Sequence, residues 1–229
     1  MPIPMPMPTN QNRRTAGPAG RRGVADRLHA ETADAHHAAE RAAMQHLFQP
    51  KVFTKKRYAA YLGGLYQVYG ALEDQLQRHR EHPLVGRLMR PELQRTSAIA
   101  ADCAALGEAV AEPSLETSAA AAYAERIRNS GLADPVSLVA HIYTRYLGDL
   151  YGGQIILEHM RRQLQLPDNQ GVQSLLFPQI PDLAAFRQRF RADINELPLP
   201  PATVSALVHE TLLSFALSQA LFESLAAVA

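Results

Sequence analysis

His36 and Glu40 stand four residues apart in Ala35-His36-His37-Ala38-Ala39-Glu40. On a helix that spacing stacks them on one face, so the carboxylate can accept a hydrogen bond from one ring nitrogen while the other binds a metal. The plainer reading is a core histidine paired with a carboxylate one turn on, and a lone histidine supports either. A zinc or mononuclear iron site needs more His or carboxylate ligands at suitable spacing, and the other eight histidines form no such set. An iron held in a macrocycle needs only one. His37 is turned about 100° away and is expected to be the wetter of the pair. Ala35, Ala39 and Ala43 leave room beside the His36 ring for something large and flat.

A second group lies in Ala140-His-Ile-Tyr-Thr-Arg-Tyr-Leu-Gly-Asp-Leu-Tyr-Gly-Gly-Gln154, which has helical apolar spacing yet carries Gly148, Gly152 and Gly153. Each glycine costs about 1 kcal/mol relative to alanine inside a helix, so something must require the missing side chains. Gly148 and Gly152 lie one turn apart and bare a strip of backbone that a planar ligand or another helix can approach, with scope for a kink. Asp149 beside them is a candidate proton relay, since a buried carboxylate needs partners or water. A doublet at Gly63-Gly64 precedes Tyr66 and Tyr69, which share a face and read as aromatic core packing with a hydroxyl seeking one partner.

The third group is Phe186-Arg-Gln-Arg-Phe-Arg191. Phe186 and Phe190 anchor a helix, while Arg187 and Arg191 form a parallel stripe that can clamp a ligand with two acidic arms. An ordinary solvated basic face explains the same spacing. Nucleic-acid binding fits less well, because the aromatics take the packing positions rather than interleaving outward.

The elements that must position these groups are helical. From Val24 onward the prolines stand far apart, and the intervals are rich in Ala, Leu, Gln, Glu and Arg, which lose little entropy in a helix. Helices are predicted near 24–47, 54–80, 91–111, 116–130, 135–164, 182–195 and 201–228, with no alternating β pattern competing. The predicted fold is all-α, with residues 1–23 a Pro- and Arg-containing tail and 24–229 a single domain. The stretch 165–181, with Pro167, Gly171, Pro178 and Pro181, reads as a surface crossover whose Leu175, Leu176 and Phe177 pack down.

Composition narrows the function classes. At 229 residues and 47% hydrophobic, the chain can bury a full core, which excludes wholesale disorder. Twenty-three basic and 22 acidic residues leave a formal net charge of +1, so no global field draws nucleic acid or an anionic membrane. The single cysteine, Cys103, permits no internal disulfide and points to the cytoplasm. Thr211 to Phe222, interrupted by Ser214, Ser218 and Gln219, is shorter than the roughly 20 residues a membrane span needs, so a soluble chain is expected.

Taken together, the Ala140–Gln154 string resembles the signature of the heme oxygenase family. The resemblance extends to Ala35-His36 with Ala39-Glu40, to Leu65-Tyr66, Tyr69 and Ala71-Leu72-Glu73, to Phe177-Pro178, to the arginine pair, and to Phe215 with Leu221-Phe222-Glu223. It implies an all-helical domain holding heme between a proximal helix and a kinked, glycine-rich distal one. His36 would be the axial iron ligand with Glu40 near its outer nitrogen. Gly148 and Gly152 would contact the distal face, and Asp149 would hold a water network with Tyr69 and Arg145. Tyr143, Arg187 and Arg191 would meet the propionates.

Heme would then be both cofactor and substrate, opened at a meso carbon with O2 to give biliverdin, carbon monoxide and ferrous iron. Asp149 would deliver protons through water, with no strong acid at short range. No GxGxxG fingerprint is present, so electrons would come from an external ferredoxin or flavoprotein reductase, and the enzyme would be a monomer. The sequence departs from animal members at His29 and Ala33, where those carry lysines, and at Ser218, where asparagine is common. The alternative is a non-enzymatic heme-binding or heme-trafficking protein, which would have no use for a proton relay.

Overall fold

A computed structural model describes residues 22–107, 119–165 and 167–228. The described residues form helices and no strands, as expected: α1 (Val24–Glu31), α2 (Ala33–Ala43), α3 (Lys55–Arg78), α4 (Thr96–Ala105), α5 (Ala119–Ala133), α6 (Leu138–Ile142), α7 (Gly148–Leu164), α8 (Leu183–Asn195) and α9 (Pro201–Ser224). Nearly all of the expected tail falls outside the described residues.

The long helices start where side chains can take up orphan amides. Thr54 accepts the N–H of Arg57 at 3.0 Å to open α3, Asp182 accepts that of Ala185 at 2.9 Å to open α8, and Pro201 occupies the first turn of α9. The fourth helix begins at Thr96 rather than near 91, because Glu73 accepts the backbone N–H groups of Arg95 and Thr96 and so fixes a new start there. Pro91–Leu93 is a separate short 3-10 turn, and the helix stops at Ala105, short of the expected end near 111, with Gly107 just beyond at a positive φ of 81°.

Two expected helices are interrupted. The 24–47 helix breaks at Thr32 (φ −122°, ψ 12°), whose hydroxyl donates back to the Leu28 carbonyl at 2.7 Å, and its last turn, Met44–Phe48, is a π-helix. The 135–164 helix keeps its length but contains a π turn, Tyr143–Leu147, between α6 and α7. A π turn inserts a residue into the register and re-aims the side chains beyond it.

Helix α3 lies at the centre against α4 and α5, while α9 packs on α2, α5 and α6. Tyr58, Leu62, Leu72, Tyr123, Ile127 and Leu138 are fully buried there. One expectation is corrected: Pro201–Ala227, with a mean hydropathy of 1.2, is long and apolar enough to cross a membrane. Half of that window is buried inside the fold, and its Glu210, Thr211, Ser214 and Ser218 are buried too. Each has a partner: Glu210 meets His141 and Ser214 meets Tyr123 across helices, while Thr211 and Ser218 donate to carbonyls one turn back in the same helix.

The crossover does pack down. Asp102 accepts the N–H groups of Gln173 at 2.7 Å and Ser174 at 2.8 Å, and the buried Arg95 donates to the carbonyls of Leu93 at 3.1 Å and Leu176 at 2.6 Å. The Arg95 guanidinium also lies 4.3 Å over the ring of Phe177. The cysteine, Cys103, is buried in α4 as a small filler.

Candidate functional site

A cleft opens between α2, the Tyr143–Gly153 stretch, the end of α8 and the inner face of α9. It encloses about 1310 Å³ free of protein atoms, counting the part open to solvent. Of the residues singled out in the sequence, His36, Glu40, Tyr143, Arg145, Gly148, Asp149, Gly152 and Arg191 line it together.

On the α2 side, Ala39 and Ala43 form a low wall next to His36, as their size predicted, whereas Ala35 does not line the cleft. The Phe215 ring stands edge-on to the imidazole, 5.3 Å between centroids. Burial holds the His36 imidazolium down against the nearby Glu40 charge, so the ring is neutral and able to ligate a metal. Glu40 departs from expectation. Its Oε2 is 3.0 Å from Nδ1 of His37 and 3.7 Å from Nδ1 of His36, so its hydrogen bond goes to the neighbour. His37 is also no wetter: the two side chains are 38% and 39% exposed. The geometric reason is that Glu40 sits roughly 40° around the helix from His36 and 60° from His37, between the two. Ligand atoms of His36, His37 and Glu40 therefore lie within 4.8 Å of one another, a set that the sequence reading dismissed.

Across the cleft, the π turn brings Arg145 and Asp149 to α3. The Tyr69 hydroxyl donates to Asp149 Oδ2 and accepts from Arg145 Nε at 3.3 Å and Nη2 at 3.2 Å. Asp149 Oδ1 stays 3.8 Å from the guanidinium, too far for a hydrogen bond. Burial raises the Asp149 carboxyl above its ordinary value, only partly opposed by Arg145 and Tyr69. Tyr69 touches Asp149 from behind and does not line the cleft, so it positions the acid. A Cβ added to Gly148 would meet nothing within 4 Å: the space beside it is open, which is what its helix cost was expected to secure.

At the mouth the paired arginines separate. Arg191 lines the cleft and donates to Asp26 at 2.7 Å. Arg187 does not line it; its guanidinium lies 4.9 Å from the ring centroid of Tyr151, a lining residue, where it is held by cation–π attraction. The two-arginine clamp is thus one direct arginine and one behind a tyrosine. His29 takes part in the lining, and burial followed by the Arg191 charge keeps it neutral. Burial pushes Tyr143 up to about 12.

Sequence reasoning gave no role to Phe48, Tyr61, Phe215 and Phe222, which supply the apolar floor. Phe215 and Phe222 are seven apart on one face of α9, a spacing that core packing and ligand packing share. Ser218 lines the cleft between them, with its hydroxyl donated to the Ser214 carbonyl at 2.9 Å.

A flat apolar ligand carrying one metal and acidic arms fits this arrangement: a neutral imidazole, open glycine backbone, an aromatic floor and a basic mouth. Residues 22–224 match the family model for heme oxygenase. The chain belongs to the heme oxygenase family. Curated members resembling it include heme oxygenase 1 of Nostoc sp., 32% identical over 88% of this chain and 85% of that protein. Heme oxygenase 1 of Homo sapiens is 34% identical over 88% of this chain and 71% of that protein. Among solved heme oxygenases, that of Leptospira interrogans superposes with a TM-score of 0.82 at 32% identity, covering 88% of this chain and 99% of that one. Heme oxygenase 2 of Synechocystis sp., solved with heme and NO, gives 0.82 at 31% identity over 89% and 85%.

Proposed function

We propose that this protein binds heme in the cleft and opens it at a meso carbon, using O2 and external electrons, to yield biliverdin, carbon monoxide and ferrous iron. The observation that carries the reading is that His36 on one helix and the bare backbone of Gly148 and Gly152 on another line the same cleft. Bound heme supplies the iron that activates oxygen and the ring that is oxidised. His36, whose neutral form burial favours, would hold the iron, with Glu40 beside it. A neutral imidazole donates less electron density than a thiolate and does not favour early O–O cleavage.

Asp149 is the proton donor. Its Oδ2 is held by Tyr69, which leaves Oδ1 to pass a proton through water, and a carboxyl raised by burial is a mild acid suited to that task. Arg145 and Tyr69 fix its rotamer. The bare Gly148 backbone would let the ring approach without placing an acidic side chain against it. Tyr143, Arg191 and His29 receive the propionates, with Arg187 steadying Tyr151 behind them. The electron donor is a ferredoxin or flavoprotein reductase, and the enzyme works as a cytoplasmic monomer.

The test is to titrate the purified protein with hemin, add reductant and air, and follow the visible spectrum. Biliverdin formation is expected. Stable heme binding without a bilin would identify a carrier instead. Asp149→Asn should keep heme affinity and lose about 100-fold in biliverdin rate. His36→Ala should lose the imidazole-ligated ferric spectrum, and an unchanged spectrum would place the ligand elsewhere.

A further inference from the structure

Glu40 sits between two histidines rather than behind one. We propose that His36, His37 and Glu40 form a binding site for a divalent transition-metal ion of the zinc or cobalt class, and that this ion and heme exclude each other. The inference rests on the reading of His36 as the heme ligand.

The geometry is close to what such an ion needs. Ligand bonds of about 2.1 Å put neighbouring donor atoms roughly 3.0–3.4 Å apart in tetrahedral or octahedral sites. Glu40 Oε2 is 3.0 Å from His37 Nδ1 and 3.7 Å from His36 Nδ1, and all three ligand atoms fall within 4.8 Å. Small side-chain rotations close the set. Both histidine side chains are more than a third exposed, so an ion can enter from solvent, and two imidazoles with one carboxylate leave a position for water.

Exclusion follows from the tautomer. A neutral imidazole has one lone-pair nitrogen. An ion on Nδ1 of His36 leaves the proton on Nε2, and Nε2 is the nitrogen left for iron once Nδ1 faces Glu40. The same ring cannot serve both metals while neutral. A divalent ion would therefore hold the apoprotein in a form that does not accept heme.

The experiment has two readouts on the full chain. First, chelator-treated apoprotein is titrated with Co2+, and the ligand-field absorption of the bound ion is followed. One equivalent with a nitrogen-rich spectrum is expected, lost in His37→Ala. Absence of a saturable site, or an unchanged spectrum in that variant, overturns the metal site. Second, hemin affinity is measured with and without Zn2+. With zinc at ten times its own Kd, the apparent heme Kd of the wild-type protein should rise about elevenfold by mass action. In His37→Ala it should not move. Equal heme affinity with and without zinc, or equal weakening in both proteins, overturns the exclusion. Should heme fail to bind the metal-free protein, the heme reading falls, whereas the cobalt titration, which needs no heme, still decides the metal site.

Discussion

Two carboxylates in this molecule have partners of similar kind, an arginine and a ring, and opposite character. Glu210 on α9 meets Arg126 and the buried His141, whose Nε2 is 3.0 Å from Oε1, and Arg126 Nε donates at 2.9 Å. These bonds outweigh the cost of burial and hold its carboxyl down at about 2. Asp149 also has an arginine and a ring partner, but the guanidinium stands 3.8 Å away and spends its N–H groups on Tyr69 instead. Burial wins there and the carboxyl rises. The difference lies in direct donation: His141 and Arg126 both bond Glu210 themselves, whereas Arg145 reaches Asp149 only through an intervening hydroxyl. Direct pairing makes a structural anion, whereas pairing at one remove leaves an acid that can still exchange a proton.

The sharpest way to break the comparison is to delete each acid. Glu210→Ala leaves His141 and Arg126 without their acceptor and should cost about 3 kcal/mol in urea unfolding. Asp149→Asn should not lower the unfolding midpoint at neutral pH. Its folded-state value is raised, so its contribution to stability is present below the ordinary 3.8 and lost as pH rises through the folded value, a loss that a neutral amide escapes. A loss of about 2 kcal/mol or more in Asp149→Asn would refute the assignment of the two carboxylates.

Acid titration sharpens the same contrast. The Glu210 value is depressed from 4.5, so its stabilisation is complete above pH 4.5 and is lost as pH falls toward about 2. Glu210→Gln should flatten the stability curve across that window, while Asp149→Asn should not. Tyr69→Phe removes the hydroxyl that separates Arg145 from Asp149. It should cost about 1 kcal/mol and slow biliverdin formation while heme affinity holds. The smallest effect belongs to Gly148→Ala. Its backbone is ordinary αR and its Cβ would meet open space, so the apoprotein should gain about 0.5–1 kcal/mol while heme binds more weakly.

Much of this was legible in the sequence. The glycine pair implied an empty strip because three glycines in a helix need a reason, and the cleft beside Gly148 is that reason. The seven helices were legible from spacing, and the ends that moved did so through tertiary partners: Glu73 reset the start of α4 from 22 residues away. The π turn at Tyr143–Leu147 left no mark, since its residues fit an α-helix equally well. Helical angles place Glu40 between the two rings and slightly nearer His36, so its bond to His37 was not legible from spacing. Arg187 could not be told from Arg191 by spacing. Tyr151, which takes Arg187 away from the mouth, sits on a different helix.

The bond from Arg191 to Asp26 has a consequence for how an acidic ligand gains its grip. The guanidinium is already engaged by a carboxylate of the protein, so under the proposed reading an arriving propionate would trade places with a resident anion rather than find a bare cation. What it gains there is the difference between two similar salt bridges, and the released Asp26 goes back to water. The tightness of the complex must then come from the aromatic floor and the metal bond, with Arg191 setting orientation more than strength.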